Sequence, residues 1–266
     1  MIENYINKVI QGDCLEVMKE IPDKNVDMVL TSPPYDNLRD YKGYTFNFEG
    51  IAQEIYRVLK DGGVCVWIVG DATIKGSETG TSFKQALYFK EIGFNLHDTM
   101  IWEKNTSAFP ARKDWNRYTQ IFEYMFVLSK WKPRVANLIC DKQNKRAWYT
   151  SRWTISKRDW DELVDSWKQI QVANFSPRNN IWKIQSSKWS CSKDKFVWHP
   201  AWFPTELVEW HMLTRTNEWD VVLDPFAWSW TTWIVATKLN RKYILIEKEK
   251  KYYDIICSQL NGWLFW

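Results

Sequence analysis

Along the first 130 residues the apolar positions fall into two kinds of block. Val26 to Leu30 and Val64 to Val69 are short and almost unbroken, too brief for a helix, and predict strands buried on both faces. Between them, Phe48 to Leu59 places Ile51, Ile55, Val58 and Leu59 at helical spacing. That helix is predicted to stop on Asp61-Gly62-Gly63 as its C-cap. Val9-Ile10 ahead of Gly12-Asp13 predicts a short strand ending in an acidic turn, and Cys14 to Ile21 a helix. Ser82 to Ile92 predicts a helix halted by Gly93, while Phe94 to Trp102 and Ile121 to Leu128 predict strands, the second near an edge of the sheet.

From Trp131 to Phe196 the periodicity collapses into Lys, Arg, Ser, Asn and Gln, which predicts a loop-rich insertion. Regular blocks then resume: a helix from Thr205 to Leu213, a strand Val221 to Asp224, a helix to about Leu239, a strand Tyr243 to Glu247, and a last helix to about Leu260. Strands alternating with helices predict an α/β fold with a doubly wound, mostly parallel, Rossmann-like sheet. Three parts are expected: residues 1–130, an insertion over 131–197, and 198–266.

Composition sharpens this picture at three points. The net charge of +4 is mild, yet Trp131 to Phe196 holds 14 Lys/Arg against 6 Asp/Glu, leaving −4 for the rest. Charge gathered in one segment suits a polyanionic partner, with a solvated loop face as the alternative. The 5 cysteines lack metal-ligand spacing and the 3 histidines are unpaired, so reduced thiols and no metal site are expected. The N-terminal stretch has no apolar core, and the longest apolar run is Val64 to Val69. A cytoplasmic protein with no membrane span is therefore expected.

Candidate chemistry begins where the strand at Val26 to Leu30 runs into Thr31-Ser32-Pro33-Pro34-Tyr35. Two prolines fix φ near −65° and remove two N–H groups, leaving a rigid loop of unpaired acceptors beside an aromatic ring. Such a loop suits a flat, amino-bearing group. Ser32 and the Pro33 carbonyl would accept its amino hydrogens and Tyr35 would cover its face; an ordinary strand exit is the alternative. A second strand end, in VVLDPFAWSWTT (221–232), is followed by a turn into a helix, where α/β folds bind nucleotide-like ligands. About 20 residues on, the next strand ends at Glu247, an acidic side chain placed to accept two ribose hydroxyls.

These stretches resemble the S-adenosylmethionine-dependent DNA amino-methyltransferases, in the circularly permuted arrangement with the catalytic motif first and the cofactor motif last. The resemblance is carried by GDCLEVMKEIPDKNVDMVLTSPPY, HPAWFPTELVE, VVLDPFAWSWTTWIVA and YILIE. It implies that Ser32, Pro33, Pro34 and Tyr35 hold the target base. Cofactor contacts would come from Asp224, Phe226, Ala227, Trp228, Ser229, Trp230 and Thr231, with Thr31 at the strand end, Glu247 on the ribose and Asp13 near the adenine. His199, Pro200, Phe203 and Pro204 match the segment packing on the methionine end.

The partner implied is double-stranded DNA, bound through the basic insertion as target-recognition region. In this family the target base is flipped out of the helix, and neither a covalent intermediate nor a metal is needed. Ser-Pro-Pro-Tyr there usually accompanies cytosine N4, and Asp-Pro-Pro-Tyr adenine N6, so cytosine N4 is favoured and adenine N6 stays open. A binding remnant without catalysis, and methylation of a protein side-chain amide, are the other readings. Such enzymes serve restriction-modification systems, although no nuclease motif is present here.

One departure stands out. Tryptophan numbers 19 and glycine only 10, and from Phe94 to Asn261 there are 16 tryptophans and no glycine. In the resembling family the cofactor turn reads DPFAGSGTT, with glycine where this chain has Trp228 and Trp230, and usually again at Trp233. An indole at 228 or 230 is expected to project toward the methionine and ribose. Trp131 and Trp219 also occupy loop positions where the family commonly has glycine. Trp67, Trp102 and Trp182, by contrast, sit in apolar context. A single cause covers the pattern: UGA codons read as tryptophan where the source organism reads glycine. Drift in a decayed enzyme is the rival, and it has no reason to prefer glycine sites.

Overall fold

The computed structural model describes residues 1–34, 46–105, 117–156, 163–185, 204–227 and 230–263. They form two compact units: Met1–Asn137 with Asn180–Trp266, and Leu138–Asn179. The strands of the first unit are β1 (Lys8–Gln11), β2 (Val26–Thr31), β3 (Leu59–Val69), the short pair β4 (Thr73–Ile74) and β5 (Ser77–Glu78), β6 (Asn95–Glu103) and β7 (Phe122–Ser129). The second unit carries β8 (Cys140–Gln143), β9 (Thr150–Ser156), β10 (Leu163–Gln171) and β11 (Phe175–Pro177). The first unit resumes with β12 (Ile181–Lys183), β13 (Val221–Asp224) and β14 (Lys242–Glu247). Its helices are α1 (Cys14–Glu20), α2 (Phe48–Val58), α3 (Thr81–Glu91), α4 (Thr205–Arg215), α5 (Thr231–Lys238) and α6 (Lys250–Trp263).

Eight strands make one sheet in the order β1-β14-β13-β2-β3-β7-β6-β12. Neighbours are parallel except where β7 meets β3 and β6, so β7 alone runs the other way. β7 is thus an interior strand, not the near-edge strand expected. Its Met125 to Leu128 are buried because both faces are covered, which an apolar run records without saying which strands lie alongside.

All six residues of β2 are buried. Met28 and Leu30 join the apolar layer under α4 and α5, with Leu207, Met212 and Val235; Val29 joins the opposite layer, with Met18, Ile55, Trp67 and Phe89 from α1, α2, β3 and α3. The one charged residue of β2, Asp27, is buried and fully engaged. It accepts from Lys60 Nζ at 2.8 and 2.9 Å, from Val221 N at 2.9 Å, and from Arg134 Nη2. A buried carboxylate without such partners would be strongly destabilising.

The Asp61-Gly62-Gly63 signal lies elsewhere than expected. α2 ends at Val58, with the Leu59 N–H returning to Ile55 O, and the glycines lie inside β3. Gly62, at φ +79°, hydrogen-bonds across to Lys130 O and Arg134 N, so these glycines serve a strand irregularity instead of a helix cap. In the second unit, where loop was expected, β9 pairs with β10 and β8 with β11, both antiparallel. β8 and β11 are only four and three residues long and largely exposed, so they leave no apolar alternation to read.

Candidate active site

The chain leaves β13 through α5 toward β14 on one side, and leaves β2 through α2 toward β3 on the other. The β13–β2 boundary is therefore a switch point, and the crevice beyond the C-terminal ends of such strands is where open α/β sheets bind ligands. Asp224 ends β13, and Thr31 ends β2 directly ahead of Ser32-Pro33-Pro34. Thr31 Oγ1 donates to Asp224 Oδ1 at 2.7 Å, Thr232 Oγ1 to Oδ2 at 2.7 Å, and Phe226 N to Oδ1 at 3.2 Å. Both loops are thereby tied to one buried carboxylate. Burial pushes that carboxyl up to about 6, against the three donors that pull it down.

On the far side of β13, β14 ends in Glu247. Burial is the main reason its carboxyl is pushed up to about 7; the Asp224 charge adds to this, and the Glu249 N–H at 2.7 Å opposes it. Gly12 N donates to Glu247 O at 3.0 Å, which sets the end of β1 beside it. Asp13 caps α1 by accepting from Leu15 N at 3.0 Å and meets Lys248 Nζ at 3.2 Å. Ala227 N bonds Ile246 O at 2.9 Å and pins the chain just beyond β13 to β14. Asp13, Glu247, Asp224 and Thr31-Ser32 thus occupy successive strand ends along one edge of the sheet.

Residues 26–258 match the family model of a DNA methylase. The chain belongs to this N6/N4 DNA methylase family. The methylase is 53% identical over 252 residues to the orphan methyltransferase M.BamHII of Bacillus amyloliquefaciens, with 93% of each chain covered. Its fold matches the PvuII DNA methyltransferase, a cytosine-N4-specific enzyme, at a TM-score of 0.66 and 21% identity over 92% of this chain and 83% of that one. It likewise matches M1.HpyAVI in complex with SAM, at a TM-score of 0.59 and 21% identity over 96% of this chain and 98% of that one.

Of the methylase's expected site residues, Ser32 and Pro33 are buried and Pro34 half-buried at the end of β2, while Tyr35 lies outside the described residues. Thr31, Asp224, Phe226, Ala227, Thr231, Glu247 and Asp13 come together at the strand ends. Phe226 is half-buried and stands edge-on to Phe46 at 5.8 Å and Trp67 at 6.4 Å. Pro204 is buried at the N-cap of α4, where its carbonyl accepts from Leu207 N and Val208 N. His199, Pro200, Phe203, Trp228 and Ser229 lie outside the described residues.

Trp230 stands at the N-cap of α5 with φ −67°, and its side chain is buried in the apolar layer that also holds Trp233, Leu207 and Val208. Sequence reasoning missed Thr232, the second hydroxyl on Asp224, and the aromatic group of Phe46 and Phe48 around Phe226. The paired threonines after the turn were a visible signal for Thr232. Nothing in the sequence linked Phe46 to a residue 180 positions away.

Among the described residues no helix is long and apolar enough to cross a membrane, and no group of three or more His, Cys, Asp or Glu could hold a metal ion.

Proposed function

We propose that the methylase transfers the methyl group of S-adenosylmethionine to cytosine N4 of a base flipped out of double-stranded DNA. The observation that carries this reading is the Thr31–Asp224 hydrogen bond of 2.7 Å, which joins the Ser-Pro-Pro loop to the Asp-Pro-Phe-Ala turn at the switch point. A donor of methyl groups and an acceptor base held by these two loops meet at one crevice.

The acidic half of the site fits the cofactor. Glu247 is a buried carboxylate held well above its ordinary range, and hydroxyl donors such as a ribose diol relieve that cost. Asp13 and the half-buried Phe226 ring frame the same strand ends. The turn does not fit as written, because the family's two glycines are Trp228 and Trp230.

When bound, the cofactor supplies an electrophilic methyl. The chain's own residues supply orientation. An exocyclic amine is a weak nucleophile because its lone pair is delocalised into the ring. Hydrogen bonds from the amine to Ser32 and the Pro33 carbonyl draw the nitrogen toward tetrahedral geometry, and the Tyr35 ring holds the base face. The two prolines keep the loop from relaxing and donate no competing N–H.

Residues 1–130 provide this substrate loop and 198–266 the cofactor side, while DNA recognition falls to the insertion over 131–197. In its compact part, Lys142, Lys145 and Arg146 are exposed together with Trp148, Tyr149 and Phe175, a mixture suited to phosphates and nucleotide faces. Serine at the head of the loop favours cytosine N4, and the PvuII enzyme with the related fold is cytosine-N4-specific.

The test is expression in a host lacking DNA methylation, for the chain as written and for a variant carrying Trp228→Gly and Trp230→Gly, followed by nucleoside analysis. N4-methylcytosine is expected. Methyladenine alone would move the assignment to adenine N6, and no modified base from either chain would favour a binding remnant.

A further inference from the structure

The backbone divides the tryptophans into two classes. Trp131 and Trp219 lie in the left-handed region at φ +67° and +69°, and both indoles are largely exposed, at 67% and 66%. A bulky side chain at positive φ is a genuine outlier, because its Cβ crowds the neighbouring carbonyl. Neither conformation can relax, since hydrogen bonds fix both turns from either side.

Around Trp131, Lys130 N bonds Gly63 O at 3.0 Å, Lys130 O accepts from Gly62 N at 2.6 Å, and Arg134 N bonds Gly62 O at 2.9 Å. Trp219 is the third residue of a turn closed by Asp220 N to Asn217 O at 3.3 Å. Its own N–H reaches Asn240 O at 2.7 Å, and Asn217 N bonds Asp220 Oδ2 at 2.8 Å. The third position of a turn with positive φ is where glycine or asparagine belongs.

The distribution along the chain decides between the explanations. Up to Gly93, the described left-handed positions are held by Gly62, Gly76, Gly80, Gly93, Asn7, Lys24 and Lys75; beyond it, by Trp131, Trp219 and Asn240. The fold asks for left-handed residues in both stretches, but only the first answers with glycine.

Trp67, Trp102 and Trp182 behave differently. All three lie buried in strands, where Trp67 Nε1 donates to Gln85 Oε1 at 2.8 Å and Trp102 Nε1 to Ile184 O at 3.0 Å. These indoles are packed and hydrogen-bonded as native tryptophans are. At 230 and 233 the backbone conformation is open to any residue, so it does not discriminate there.

We infer that residues 131 and 219 are glycines in the working enzyme, specified by UGA codons, and that the same codon restores glycine to the cofactor turn at 228 and 230. Glycine at 228 and 230 rests on the cofactor reading proposed above.

The gene tests the inference directly: UGA is expected at 131, 219, 228 and 230, and UGG at 67, 102 and 182. UGG at 131 and 219 would overturn it. The protein provides a second measurement through Trp131→Gly and Trp219→Gly, set against Trp131→Ala and Trp219→Ala. Glycine relieves the left-handed strain and alanine keeps it, so the glycine variants should unfold about 2–4 °C higher per site than the alanine variants. Equal midpoints would count against the inference, since loss of an exposed indole would then explain everything. For the cofactor turn, calorimetric titration with S-adenosylhomocysteine should show binding to the Trp228→Gly, Trp230→Gly chain and none to the chain as written. UGA codons without binding by the glycine chain would uphold the codon inference and overturn the cofactor reading.

Discussion

Glu247 offers a test in which stability and binding should move in opposite directions. Its carboxyl is held at about 7 against an ordinary value of 4.5, mainly by burial at the end of β14 and secondarily by the Asp224 charge. The folded protein therefore binds this proton more readily than the unfolded chain. The associated stability is fully present below about pH 4.5 and is lost as pH rises through 7, where the ionised folded state costs about 3 kcal/mol.

Glu247→Gln keeps an oxygen for the Glu249 N–H, now at 2.7 Å, but cannot ionise. Relative to the unsubstituted protein it should gain under about 1 kcal/mol at pH 5 and about 3 kcal/mol at pH 8. Comparing the substitution at two pH values cancels every other titrating group. Urea unfolding at pH 5 and pH 8 measures this. Titration with S-adenosylhomocysteine at pH 8, in the Trp228→Gly, Trp230→Gly background, should show affinity falling by about 10- to 100-fold, because a charge-assisted hydrogen bond contributes about 1.5–3 kcal/mol. An equal stability change at both pH values would refute the buried-carboxylate account, and unchanged affinity would remove Glu247 from the ribose.

Thr31→Val removes one of three donors from the buried Asp224. It should cost about 1.5–3 kcal/mol at neutral pH and less below pH 6, where the carboxyl is protonated, as read from unfolding midpoints across pH. Tyr35→Ala should lower turnover by about 10- to 100-fold, the equivalent of a lost stacking platform of roughly 1–3 kcal/mol, and leave cofactor affinity unchanged. If the loss falls on cofactor affinity instead, Tyr35 does not hold the base. Lys142→Gln with Lys145→Gln should flatten the salt dependence of duplex binding by about 0.9 in log–log slope for each phosphate no longer neutralised. A slope identical to that of the unsubstituted protein would take these lysines out of the DNA interface.

The sequence alone was sufficient for most elements and for locating the two loops that leave β2 and β13, because buried strands and amphipathic helices leave their period in the chain. Val26–Thr31 is apolar on both faces since helices cover both sides of β2, and Ser32-Pro33-Pro34 is legible because proline constrains backbone wherever it stands. The tryptophan anomaly was legible too. Glycine's absence from residues 94–261 is a compositional fact, and the resemblance alone marks 131 and 219 as loop positions that commonly hold glycine, the two at which the backbone holds tryptophan at positive φ.

What only the tertiary structure decided is adjacency. β2 and β13 are far apart in the chain, and only the sheet order makes them neighbours, so the Thr31–Asp224 bond has no local signature. The interior, reversed place of β7 and the use of Asp27 as an anchor for Lys60, Arg134 and Val221 N were hidden for the same reason. Hydrophobic pattern fixes how much of a residue is buried, whereas the identity of its neighbours is set by long-range pairing.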